Sequence, residues 1–75
     1  MERYRNRGGD SGIVAYEIGP DFITVKFSDK SVYLYTYQSA GRANIERMKR
    51  LAIGGEGLNS FINRRVRKRY ARKFR

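Results

Sequence analysis

Cysteine, histidine and tryptophan are absent from this sequence of 75 residues, which carries one proline, Pro20, and only seven carboxylates. Without cysteine there is neither a disulfide framework nor a thiolate metal site, and a short chain without such staples fits a reducing cytoplasm, the expected location. Without histidine the commonest general base and metal ligand is missing, and no two carboxylates stand at a spacing that demands a shared site. The expectation is therefore a non-enzyme with no cofactor and no metal. Long hydrophobic runs are also lacking: no window approaches the ~18 apolar residues of a membrane span, and the opening "MERYRNRGGDSG" has no apolar stretch of the secretory kind. A soluble protein is expected, without a membrane partner. The glycine-rich "IGGEG" lacks the Lys-Ser/Thr that a phosphate-binding loop requires, and it reads as a helix terminator.

What is present in excess is positive charge, unevenly placed. Residues 9–63 balance six cations (Lys26, Lys30, Arg42, Arg47, Lys49, Arg50) against six anions (Asp10, Glu17, Asp21, Asp29, Glu46, Glu56). The net +10 therefore comes from the two ends: +2 from residues 1–8, through Arg3, Arg5 and Arg7 against Glu2, and +8 from residues 64–75. Twelve of the seventeen cations are arginine, the side chain suited to bidentate phosphate contact and to stacking on bases.

At this length one domain is expected, placed at residues 11–75 behind a flexible basic segment 1–10. Apolar residues alternate with period two in "GIVAYEI", in "FITVKF" after Gly19-Pro20-Asp21, and in "SVYLYTY" after Asp29-Lys30, which reads as a three-stranded antiparallel meander. The period then changes. Ile45, Met48 and Ala52 predict a short helix ended by "IGGEG", and Leu58, Phe61, Ile62, Val66 and Tyr70 predict a second helix running into the basic end. The expected fold is α+β: three strands followed by two helices packed on one face.

On that second helix Arg64, Arg67, Lys68, Arg72 and Arg75 fall away from the apolar stripe, giving one positive face. Cations at i, i+4, such as Arg64 and Lys68, repel one another with no acidic neighbour to relieve them. A polyanion removes that repulsion. These five residues, with Arg3, Arg5 and Arg7, are the candidate phosphate contacts of a nucleic-acid-binding surface.

The tyrosines depend on register. A two-residue hairpin at Asp29-Lys30 sends Tyr33 and Tyr35 to the face opposite Phe27, where they would be exposed for stacking. A three-residue loop with a bulge places Phe27, Tyr33 and Tyr35 on one face as core, and leaves Phe22, Val32 and Leu34 on the other as a candidate protein-interaction face.

The string "YEIGPDFITVKFSDKSVYLYTY" followed by "GLNSFINRRVRKRY" resembles the KTSC family, a small domain named for the C-terminus of some bacterial lysyl-tRNA synthetases and found also as free-standing bacterial and phage proteins. The resemblance spans residues 10–70 and rests on Ile23, Val25 and Phe27, the pair Tyr33 and Tyr35, the stretch around Asn63 and Val66, and Tyr70. Lys30 departs from it where a turn glycine is usual, as does the absence of a proline after the third strand. The resemblance favours the bulged register and implies RNA ahead of DNA as partner. The expected function is sequence-tolerant RNA binding through phosphate contacts. The alternative is a non-enzymatic protein-interaction or assembly module, phage-derived, with an acidic protein partner or a second copy of itself on the far face.

Overall fold

The computed structural model describes residues 1–7, 9 and 12–74. Five antiparallel strands form one meandering sheet in the order β1 (Glu2–Arg3), β2 (Ile13–Ile18), β3 (Phe22–Phe27), β4 (Val32–Thr36) and β5 (Arg72–Lys73). The helical part lies between β4 and β5 in sequence: α1 (Tyr37–Ala40), α2 (Arg42–Gly54) and α3 (Leu58–Phe61), the last continuing as a π-helical turn over Ile62–Val66. The α+β class is as expected, but four strands rather than three precede the helices and a fifth follows them.

The three long strands coincide with the three period-two segments. Val25 pairs with Tyr33 and Ile23 with Tyr35. The β3–β4 loop holds three residues, closed by the Phe27 N–H donating to the Ser31 carbonyl at 2.9 Å. Lys30 takes the left-handed position of that loop, with φ of 75°, the bulged hairpin geometry. Phe27, Tyr33 and Tyr35 therefore share one face. Tyr35 is core, 1 % exposed, whereas Tyr33 is half-buried at its edge.

Ile13, Ile23, Val25 and Tyr35 of the sheet are buried with Ile45, Met48 and Ala52 of α2 and with Leu58, Ile62 and Val66. The spacing of three and four that predicts α2 therefore does face the sheet. At α-helical pitch, Ile62 and Val66 would be offset by about 40°. Across the π turn both side chains stay buried.

Two local signals divide the helices. The third strand was expected to run to Tyr37, but Thr36 starts α1 instead: its hydroxyl accepts the Ser39 N–H at 3.0 Å, and its own N–H donates to the Ser39 hydroxyl at 3.0 Å, a capping box. Gly55 ends α2 in the left-handed conformation, φ 76°, with its N–H directed to the carbonyls of Leu51 and Ala52. "IGGEG" is thus the expected terminator. Lys49 straps α2 to the β2–β3 turn, donating to Glu46 at 2.9 Å and to the Pro20 carbonyl at 3.0 Å.

Both ends correct the sequence reading. In place of a flexible arm, residues 2–7 are built into the fold: Glu2 and Arg3 pair with Tyr16 and Ala15, Tyr4 is 3 % exposed, and the Arg7 N–H donates to the Gly55 carbonyl at 2.7 Å. At the other end the second helix does not reach residue 75. It closes with the Arg69 N–H on the Val66 carbonyl, after which the chain returns along β4, the Ala71 N–H on Leu34 at 2.6 Å and the Phe74 N–H on Val32 at 2.8 Å. The physical reason is a contest between a helix crowded with unrelieved cations and a sheet edge of unpaired carbonyls. The edge wins. The short cationic strand that results also blunts the sheet against further pairing.

Candidate nucleic-acid interface

Because the helix stops, the four of the five expected phosphate contacts that lie among the described residues, Arg64, Arg67, Lys68 and Arg72, do not share one face. Arg67 and Lys68 stand in the turn after the π segment and line a cleft between that turn and the β3–β4 hairpin. Arg64 points to a second cleft, between α2 and α3, together with Arg65 and Arg47. Arg72 lies opposite Leu34 on the sheet face away from the helices, and Arg75 lies outside the described residues. Of the N-terminal group, Arg3 pairs with Ala15 on that same far face, the Arg5 stem packs against Gly55, and Arg7 is held by its backbone at the end of α2. The cations are therefore dealt to the two clefts, the far sheet face and the end of α2.

The first cleft has a volume of about 430 Å³ and combines aromatic rings with cations. Tyr33 is central to its ring cluster: its centroid is 5.6 Å from Phe27, 6.4 Å from Tyr35 and 4.9 Å from Tyr70, edge-on to Phe27 and Tyr70 and stacked with Tyr35. Lys73 places its Nζ 5.5 Å from the Tyr33 ring centre. Tyr70, read from the sequence as a core residue of the helix, is instead 38 % exposed in the extended tail. Burial, and then the neighbouring phenols of Tyr33 and Tyr70, push the Tyr35 hydroxyl up to about 12, so it remains protonated. On the hairpin side of the cleft, Asp29 accepts from the Ser31 hydroxyl at 2.6 Å and the Ser31 N–H at 2.9 Å. These bonds hold its carboxyl below the usual range.

The second cleft, also about 430 Å³, sets Arg47, Arg64 and Arg65 beside the polar side chains of Asn44 and Ser60. One cationic segment, Arg64 to Lys68, thus supplies both clefts. Among the described residues the single salt bridge is Glu46–Lys49, so none of the cations in that segment is neutralised by a carboxylate.

No family model, curated protein or solved structure matches this chain.

On the far face the register forms two rows. Arg3, Ala15, Lys26 and Val32 follow one another across four strands, and Glu17, Thr24, Leu34 and Arg72 form the next row. Val32 and Leu34 are therefore on the face away from the helices, as the bulged register implies, but each has a cation as cross-strand neighbour. Phe22 is on the same face, and its ring covers Gly19 so closely that an added Cβ there would lie 2.0 Å from it. Part of its apolar surface is thus used within the fold. The residues that sequence reading missed are Arg65, Arg47, whose place beside Arg64 on the second cleft is long-range, and Tyr70 as a cleft residue. For Tyr70 the available signal was the absence of any acidic residue to support a helix over 64–75.

No helix of the described residues is long and apolar enough to cross a membrane.

Proposed function

We propose that this protein binds nucleic acid, RNA in preference to DNA, through sequence-tolerant phosphate contacts made by the segment Arg64 to Lys68. The observation that carries the reading is the placement of four unneutralised cations, Arg64, Arg65, Arg67 and Lys68, on the two clefts that flank one turn of chain. A phosphate backbone holds condensed counterions, and cations without carboxylate partners release them on binding at an entropic gain. Arginine predominates among them, as phosphate recognition favours. The KTSC resemblance supports RNA ahead of DNA. Cytoplasmic location belongs to the same reading.

The test is the salt dependence of binding to a mixed-sequence single-stranded RNA. Four contacts at about −0.7 each give a slope of log K against log salt near −3. Replacing Arg64, Arg65, Arg67 and Lys68 by glutamine, a comparable helix former, should weaken binding at least about tenfold and flatten the slope. An affinity independent of salt would overturn the reading.

The far sheet face favours a second reading, a protein-interaction module. Val32 and Leu34 are half-buried there and Phe74 is 52 % exposed. The interleaved Arg3, Lys26 and Arg72 select an acidic protein over a second copy of the same positive face. Leu34→Glu should abolish such a complex and leave the salt slope of RNA binding intact.

A further inference from the structure

We infer that the cleft of Phe27, Tyr33, Tyr35 and Tyr70 is a pocket for one unpaired nucleobase of a single strand, with Arg67 and Lys68 holding the phosphates on either side of that nucleotide. The inference rests on the nucleic-acid reading and deepens it from charge attraction to base contact.

Four features converge on this occupant. The volume of about 430 Å³ is that of a small-ligand site. Its lining is aromatic on the sheet side and cationic on the turn side, with Asp29 and its serine neighbours on the hairpin side, and the aromatic-cationic pairing is the one that single-strand binders use to stack a base and follow its backbone. The rings do not close into a core: Tyr35 is 1 % exposed, but Tyr70 is 38 % exposed and lies edge-on to Tyr33 at 4.9 Å. An apolar ligand face therefore gains contact on the rings. Finally, Tyr70 is positioned by the tail's pairing with β4, through the adjacent Ala71 N–H on Leu34, and not by the helix. Continuing the helix would have removed both Tyr70 and the opening. A base inside a duplex is stacked on both sides and does not enter such a cleft without unpairing, so the site selects single strands.

The experiment compares two oligonucleotides of equal length and phosphate number, one bearing uracil at every position and one made of abasic ribose units, by fluorescence anisotropy at a single salt concentration. The expected result is at least a tenfold preference for the base-bearing strand. Tyr70→Ala should bring that ratio towards one, and Tyr70→Phe, which keeps the ring, should preserve it. Equal affinity of the two strands for the wild-type protein would overturn the base pocket while leaving the phosphate reading standing. Failure of both strands to bind would remove the phosphate reading itself. A preference that survives Tyr70→Ala in a folded protein would overturn the assignment to this cleft.

Discussion

The hydroxyl of Tyr4 accepts the backbone N–H of Leu58 at 3.3 Å, joining residues 54 positions apart in the buried interior. The bond satisfies an N–H at the start of α3, where no intrahelical partner exists, and it fixes the N-terminal strand to the segment that carries the clefts. Tyr4→Phe keeps the ring and leaves that N–H unpaired in the core. The expected cost is about 1–3 kcal/mol, which urea denaturation will measure. Tyr4→Ala removes the ring as well and should cost about 3–5 kcal/mol, a large fraction of the stability of a domain this size. A neutral Tyr4→Ala would mean that residues 2–7 lie free in solution.

Lys30 sits at φ 75° in the β3–β4 loop, a conformation that costs a side chain with a Cβ about 1–2 kcal/mol. Glycine adopts it without that cost, though it loses more freedom on folding. Lys30→Gly should therefore stabilise the protein, by roughly 0.5–1 kcal/mol after the entropy offset. Lys30→Ala removes the same charge without relieving the backbone and serves as the control. Equal stabilities for the two variants would mean that the loop does not hold the bulged form.

Burial raises the Tyr35 phenol from 10.0 to about 12. The native state then retains a proton that the unfolded chain releases, so the stabilising effect is complete below pH 10 and is lost as pH rises through 12. In an alkaline titration followed by phenolate absorbance, one tyrosine should ionise last, coincident with unfolding. Tyr35→Phe should remove that final step. A set of tyrosines all titrating near 10 would show Tyr35 to be solvated.

What the sequence makes legible is what short-range periodicity encodes. Ile23, Val25 and Phe27 alternate because one face of β3 is buried, and Ile45, Met48 and Ala52 are spaced for one face of α2; both patterns are written within a few residues. The hairpin register hangs on a single residue, Lys30, whose left-handed conformation local chemistry does not favour, so period alone leaves Tyr33 and Tyr35 open. The ends are illegible for another reason. Tyr4 is a lone apolar residue among arginines, and its burial depends on Leu58, far along the chain. Val66, Tyr70 and Phe74 recur every four residues and suit a helix, yet Ala71 and Phe74 bond to carbonyls of β4. That competition is between a local helix and a distant sheet edge, and no window around residue 70 contains the second competitor. The candidate site inherits the ambiguity. Arg64, Arg67 and Lys68 are identifiable from the charge run, while Arg47 and Arg65 and the division between two clefts follow from where the helix stops.

Edge pairing of the tail should shape the proposed base pocket. Ala71 donates its N–H to the Leu34 carbonyl at 2.6 Å, one residue beyond Tyr70, and a proline at position 71 removes that donor. The loss of an exposed edge bond is worth about 0.5–1.5 kcal/mol, so Ala71→Pro should lower the melting temperature by several degrees, at roughly 4–8 °C per kcal/mol, and leave the core folded. Its effect on recognition should be larger. With the strand pairing broken, Tyr70 is no longer held against Tyr33, and the preference for a base-bearing over an abasic strand should fall as far as it does in Tyr70→Ala. NMR supplies the structural control, because the pairing of Tyr33 with Lys73 predicts cross-strand contacts that the wild type shows and the variant lacks. If those contacts vanish and the preference persists, Tyr70 finds its place without the strand, and the edge pairing serves the sheet alone.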